Sequence, residues 1–148
     1  IAVDAVIADF IAGAAEALSP ANDDDHWDIV EGQGSLFHPS YAGVSMGLMH
    51  GAQPHWLVMC HEMGRPHMRH LPHQPMVSLK DCVEANLRAA RVTSESVQLA
   101  GFAINTSNYT EEDARAYCAE ICAEFGLPAT DPVRFGIDDI AALLQERG

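Results

Sequence analysis

The sequence predicts an α/β protein, a three-layer α/β/α arrangement around a mostly parallel sheet. Short apolar runs at 27–30 (WDIV), 56–60 (WLVMC) and 97–104 (VQLAGFAI) alternate with stretches whose apolar residues recur at helical spacing. The runs are apolar with little alternation, the pattern of strands covered on both faces. With 148 residues and 48% hydrophobic content, the chain is long enough for one domain, 1–148, with a real core.

The elements follow in order. Val3, Val6, Ile7, Phe10, Ile11, Ala14 and Leu18 share one face of a first helix, which Pro20 and the acidic run NDDD end. The strand at 27–30 delivers Glu31 into Gly32-Gln33-Gly34. A carboxylate at the end of a buried strand is costly unless a cation meets it, and glycines there let a backbone or ligand come close. A short helix at 42–50 precedes the strand at 56–60. Residues 61–75 hold three prolines, four histidines and two arginines, which predicts a loop with no regular element. It is long for a passive connection. Ser78 with Asp81 forms a capping pair that opens a helix with Val83, Leu87 and Ala90 on one face. After the strand at 97–104, Thr110 and Asp113 cap a helix at 111–125, which Gly126 and Pro128 stop. A brief strand near Ala129 and a helix at 137–145 complete the chain, with no internal repeats.

The 21 acidic and 8 basic side chains give a net charge of -13, which repels phosphate backbones and anionic membranes. Nucleic acid is not an expected partner, nor is a membrane. A small anionic substrate must then meet a local cluster of donors, and with Lys80 the single lysine, that duty falls to Arg65, Arg69 and Arg134. Cys60, Cys82, Cys118 and Cys122 show no CxxC spacing, which predicts a reduced, cytoplasmic protein. Cys118 and Cys122 share a helical face and read as core. No apolar run is long enough for a bilayer span.

In parallel sheets, ligands sit beyond the carboxyl ends of the strands. Those ends carry 31–34 (EGQG), 61–65 (HEMGR), 105–107 (NTS) and 131–134 (DPVR), so Glu31, His61, Arg65 and Asn105 are expected along one rim. Arg65 suits a bidentate grip on a carboxylate or phosphate, or an ion pair with Glu31 or Glu62. His38 beside Pro39 is a substrate-site candidate, or a loop histidine bonded to backbone. His67, His70 and His73 are spaced three apart, but tetrahedral zinc needs four ligands and a second shell, and no HExxH occurs. Zinc is not expected.

The order of motifs carries a resemblance. VEGQGSLFHP resembles the matching segment of dethiobiotin synthetase-like P-loop enzymes, in which the glutamate helps to hold Mg2+. IAVDAVIADFIAGAAE, DIVEGQGSLFHPSYAGVS, CHEMGR, ANLRAARVT, INTS and DPVRFG together, over residues 4–144, resemble the C-terminal P-loop-type domain of a bacterial family first described without a function and typified by D-glutamate N-acetyltransferase. The resemblance implies a P-loop NTPase-like fold, here incomplete. No GxxxxGK[ST] segment occurs, and Lys80 sits in VSLKDC, outside any glycine loop. The phosphate loop and an N-terminal domain are expected upstream of Ile1, and the chain is expected to be inactive without them.

On this resemblance, Glu31 is a Mg2+ ligand with Gly32 and Gly34 making room, or a carboxylate capped by its own glycine turn. Asn105 meets an adenine edge, or closes an Asx turn. Pro132 and Arg134 form the opposite wall of that nucleotide or acetyl-CoA pocket. The implied activity is acetyl transfer from acetyl-CoA to an acidic D-amino acid, with His61 or Glu62 as base and Arg65 or Arg134 as the carboxylate clamp. An ATP- and Mg2+-dependent ligase of the dethiobiotin synthetase type is the alternative enzyme. A non-catalytic nucleotide-binding or oligomerising module, in a homo-oligomer, is the third reading.

Overall fold

The computed structural model describes residues 5–23 and 25–147, so Val3 of the first predicted helix and Asp24 of the acidic run lie outside the described residues. The chain divides into two compact units, 1–55 with 77–97 and 56–76 with 98–148.

In the first unit a 3-10 turn, Ala8–Phe10, leads into α1 (Ile11–Leu18), so the first helix is shorter than its apolar face predicted. No side chain caps Ile7 or Phe10, and uncapped first-turn amides favour the tighter 3-10 bonding. Helix α2 (Ala42–Ala52) packs on α1 through glycines. A Cβ on Gly51 would fall 2.0 Å from the Ala12 carbonyl oxygen, and one on Gly47 would fall 2.7 Å from Ile11 Cγ2. Only glycine allows backbones so close, and Ile11 and Ala15 are buried at this contact. Helix α3 (Leu79–Ala90) opens as the sequence predicted, with Ser78 Oγ accepting from the Asp81 amide and Val83 and Ala90 buried.

The strand predicted at 27–30 does not form. Trp27, Ile29 and Val30 are 50%, 88% and 47% exposed, and no strand pairs with them among the described residues. An apolar run becomes a strand only when a neighbour satisfies its backbone groups. Glu31 therefore ends an exposed segment without regular structure, and the burial that would make its charge costly is absent.

In the second unit β1 (Trp56–Glu62), β4 (Gln98–Asn105) and β5 (Ala129–Thr130) form a parallel sheet in the order β1-β4-β5. Helices α4 (Glu111–Phe125), α5 (Pro132–Phe135) and α6 (Asp138–Arg147) flank it, giving the α/β architecture that the sequence predicted. Phe102 on β4 is fully buried against Phe125, with ring centroids 4.7 Å apart. Near Gly101, the Pro128 carbonyl and Ile140 fill the space that a side chain would take. Thr110 caps α4 and Gly126, at φ 65°, ends it, both as predicted. Cys118 is buried but Cys122 is exposed, so only the first of the pair belongs to the core.

Residues 61–75 are more regular than predicted. They extend β1 to Glu62 and then form an antiparallel hairpin, β2 (His67–Met68) and β3 (Leu71–Pro75), turning at Arg69-His70 with His70 at φ 61°. A two-stranded ribbon has two outer edges, where prolines remove no ladder bond, so Pro72 and Pro75 do not forbid it. Met68, 2% exposed, anchors the hairpin.

A candidate active site at the carboxyl ends of β1 and β4

The parallel register pairs Glu62 with Asn105, so β1 and β4 end side by side. Beyond them the Met63 amide donates to the Asn105 carbonyl at 3.1 Å, and Gly64, at φ 71°, turns the chain toward the hairpin. This turn, the hairpin and the later part of the β4–α4 loop enclose an open cleft of about 380 Å³, lined by Glu62, Gly64, Arg65, His67, Arg69 and Tyr109 among others. Arg65 donates to Glu62 in an i, i+3 ion pair, both side chains about 30% exposed. The arginine thus has the carboxylate partner that the sequence offered as one of its two readings. In a chain of net charge -13, two arginines and His67 at one cleft form a local exception to the acidic surface.

Adjacent strand residues point to opposite faces. Glu62 lines the cleft, whereas His61 turns toward α4 and lies 3.0 Å from the Tyr117 hydroxyl. Burial lowers the His61 pKa from its ordinary value; Glu62 opposes the shift and Arg65 adds to it. Burial likewise pushes the Tyr117 phenol up, with Glu120 and Glu124 adding to it. The two residues offered as alternative bases therefore separate, and His61 acquires a partner, Tyr117, that the sequence reading missed. The signal was present: Tyr117 falls one turn after Ala114 and before Ile121, both buried on α4.

The β4–α4 loop is held by a buried carboxylate. Asp131 Oδ2 accepts from the Thr106 amide at 2.9 Å and from Thr106 Oγ1 at 2.6 Å. Its Oδ1 accepts from the Val133 and Arg134 amides at 3.0 and 3.2 Å, capping α5. Burial alone would raise the Asp131 carboxyl, but the Thr106 hydroxyl and the Thr106, Arg134 and Val133 amides hold it below the ordinary value. Arg134 Nη1 donates to the Thr106 carbonyl and Oγ1, both at 3.2 Å, and to the Tyr109 carbonyl at 3.1 Å. Arg134 braces the loop, and Pro132 is the first residue of α5. Asn105 Oδ1 accepts from the Ser107 amide at 3.0 Å, which closes the Asx turn that was the alternative to an adenine contact.

Glu31, Gly32, Gly34 and His38 belong to the first unit. Ser45 Oγ donates to the Gly34 carbonyl at 2.8 Å, and a Cβ on Gly34 would meet Tyr41 at 3.0 Å, whereas Gly32 faces open space. His38 is 6% exposed, packs against the Tyr41 ring in a tilted arrangement with centroids 4.4 Å apart, and accepts from the Ser40 amide at 3.2 Å through Nδ1. Among the described residues, no three His, Cys, Asp or Glu side chains gather as a metal site. Mg2+ takes one or two carboxylates and completes its shell with phosphate and water, so Glu31 could serve as one such ligand. The amide cradle of a GxxxxGK[ST] loop is not in this sequence.

The profile of the family described as "Domain of unknown function (DUF1611_C) P-loop domain" matches residues 1–141. The chain belongs to that family. Its fold is accordingly P-loop NTPase-like, as the resemblance implied. A D-glutamate N-acetyltransferase from Pseudoalteromonas sp. is 50% identical over 144 residues, covering 97% of this chain and 43% of that protein. Another from Tritonibacter scottomollicae is 49% identical over 145 residues, 95% of this chain and 44% of that protein. The chain thus spans less than half the length of these relatives. A crystal structure of a DUF1611 family protein from Anabaena variabilis superposes with a TM-score of 0.86 at 37% identity, covering 98% of this chain and 43% of that one. No helix among the described residues is long and apolar enough to cross a membrane.

Proposed function

We propose that this DUF1611 domain forms part of an N-acetyltransferase acting on D-glutamate, and that the cleft beside β1 receives the acidic amino acid. One observation carries the reading: Arg65 and Arg69 line a cleft at the carboxyl ends of parallel strands in a strongly acidic chain. The relatives' names agree with it. In the reaction the substrate amine attacks the thioester carbonyl of acetyl-CoA. A C–N bond forms, the C–S bond breaks, the amine proton passes to a base, and CoA leaves as the thiol. Arg65 takes the substrate carboxylate, and Glu62, released from that arginine, accepts the amine proton. His61, turned toward Tyr117, is worse placed for the transfer.

The test uses the full-length protein with D-glutamate and acetyl-CoA, assayed for free thiol and, with ATP added, for ADP. Thiol release that requires D-glutamate and no ADP supports acetyl transfer. ADP formed in step with product replaces it with the ligase chemistry, and neither product removes both.

A further inference from the structure

We infer that the Tyr109 hydroxyl is the uncharged donor which completes the carboxylate grip of the cleft, and that residue 64 is glycine because this phenol lies over it. The inference rests on the reading of the cleft as the acidic-substrate site. A Cβ at Gly64 would fall 1.8 Å from the Tyr109 hydroxyl oxygen and 2.8 Å from Cζ. No side chain fits there without expelling the ring. The glycine also sits at φ 71°, so its backbone conformation and the space above it exclude other residues independently.

The backbone that carries this phenol is held from behind. The Tyr109 amide donates to the Thr106 carbonyl at 3.0 Å, and the Tyr109 carbonyl accepts from Arg134. Arg134 also binds Thr106, which is fully buried and gripped by Asp131. Tyr109 remains 37% exposed and lines the same cleft as Arg65 and Arg69. A carboxylate has two oxygens and about four acceptor sites, so it can take an arginine fork and a phenol O–H together. The arginine supplies charge and the phenol direction, which favours a planar carboxylate over a bare anion.

Tyr109→Phe in the full-length protein should raise the KM for D-glutamate about tenfold, the loss of one hydrogen bond to a charged group. The KM for acetyl-CoA and the midpoint of thermal unfolding should stay at wild-type values. An unchanged KM for D-glutamate overturns the inference. Gly64→Ala should also raise that KM, and its effect should be smaller in a Tyr109→Ala background, where no ring remains to be displaced and only the backbone strain at φ 71° is left. Equal effects of Gly64→Ala in both backgrounds would mean that the glycine serves only its turn, and would overturn the second half of the claim. If the full-length protein does not acetylate D-glutamate, the proposed activity falls, and calorimetric titration with D-glutamate decides this inference separately. Binding weakened by Tyr109→Phe upholds it; equal binding, or none to either protein, overturns it.

Discussion

Asp131→Asn is a change of one atom at the point where two elements of the second unit are tied together. Asp131 Oδ2 serves the Thr106 amide and hydroxyl, and Oδ1 serves the Val133 and Arg134 amides. Asparagine keeps one acceptor oxygen and turns a donor toward the other pair. Thr106 is fully buried and cannot recover a bond from water, whereas Val133 is 95% exposed. The remaining oxygen should therefore stay with Thr106, and the α5 cap should be lost. A lost cap costs about 1 kcal/mol and the weakening of charge-assisted bonds about as much again, so the expected loss is about 2 kcal/mol. Asp131→Ala also orphans the buried Thr106 amide and should cost about 4 kcal/mol. Urea unfolding at constant slope measures both. The Asp131 pKa is lower in the folded than in the unfolded chain. Its stabilisation is thus complete above the unfolded value and is lost as pH falls through the folded one, so the gap between wild type and Asp131→Asn should narrow in acid. An asparagine variant within about half a kcal/mol of wild type at neutral pH, or an alanine variant no weaker than it, would refute the reasoning.

Two further outcomes are expected. The His61 ring, followed by NMR, should titrate below the ordinary histidine value; Arg65→Ala should move its midpoint up and Glu62→Gln should move it down, because the two charges act on it with opposite sign. Shifts in the same direction would contradict the geometry of that strand end. Helix propensity favours Gly51→Ala by about 1 kcal/mol, but the new methyl would meet the Ala12 carbonyl oxygen at 2.0 Å. Overpacking should win, with a net loss of about 2 kcal/mol in chemical unfolding; a stabilised variant would mean that α1 moves aside freely.

Elements with a local cause were legible before any coordinates. Ser78 and Thr110 announce α3 and α4, and Gly126 ends α4, because caps depend on residues within one turn. The apolar runs of β1 and β4 likewise predicted a parallel pair, which the register from Trp56 with Gln98 to Glu62 with Asn105 forms. The run at 27–30 looked the same and formed no strand, because pairing is decided by a neighbour that composition does not name. The hairpin at 67–75 was hidden for the converse reason, since its prolines stand where a two-stranded ribbon has no bond to lose.

The sequence by itself determined the α/β class, the caps, the acidic surface and the arginine-bearing strand end. Tertiary structure alone decided which neighbouring side chain entered the cleft. Glu62 lines it and His61 meets Tyr117, because the pleat sends consecutive residues to opposite faces. It also brought Tyr109 over Gly64, two residues 45 positions apart, through a loop held by a buried carboxylate. No spacing rule in a linear chain encodes that approach, since it depends on where two strand ends stop beside each other.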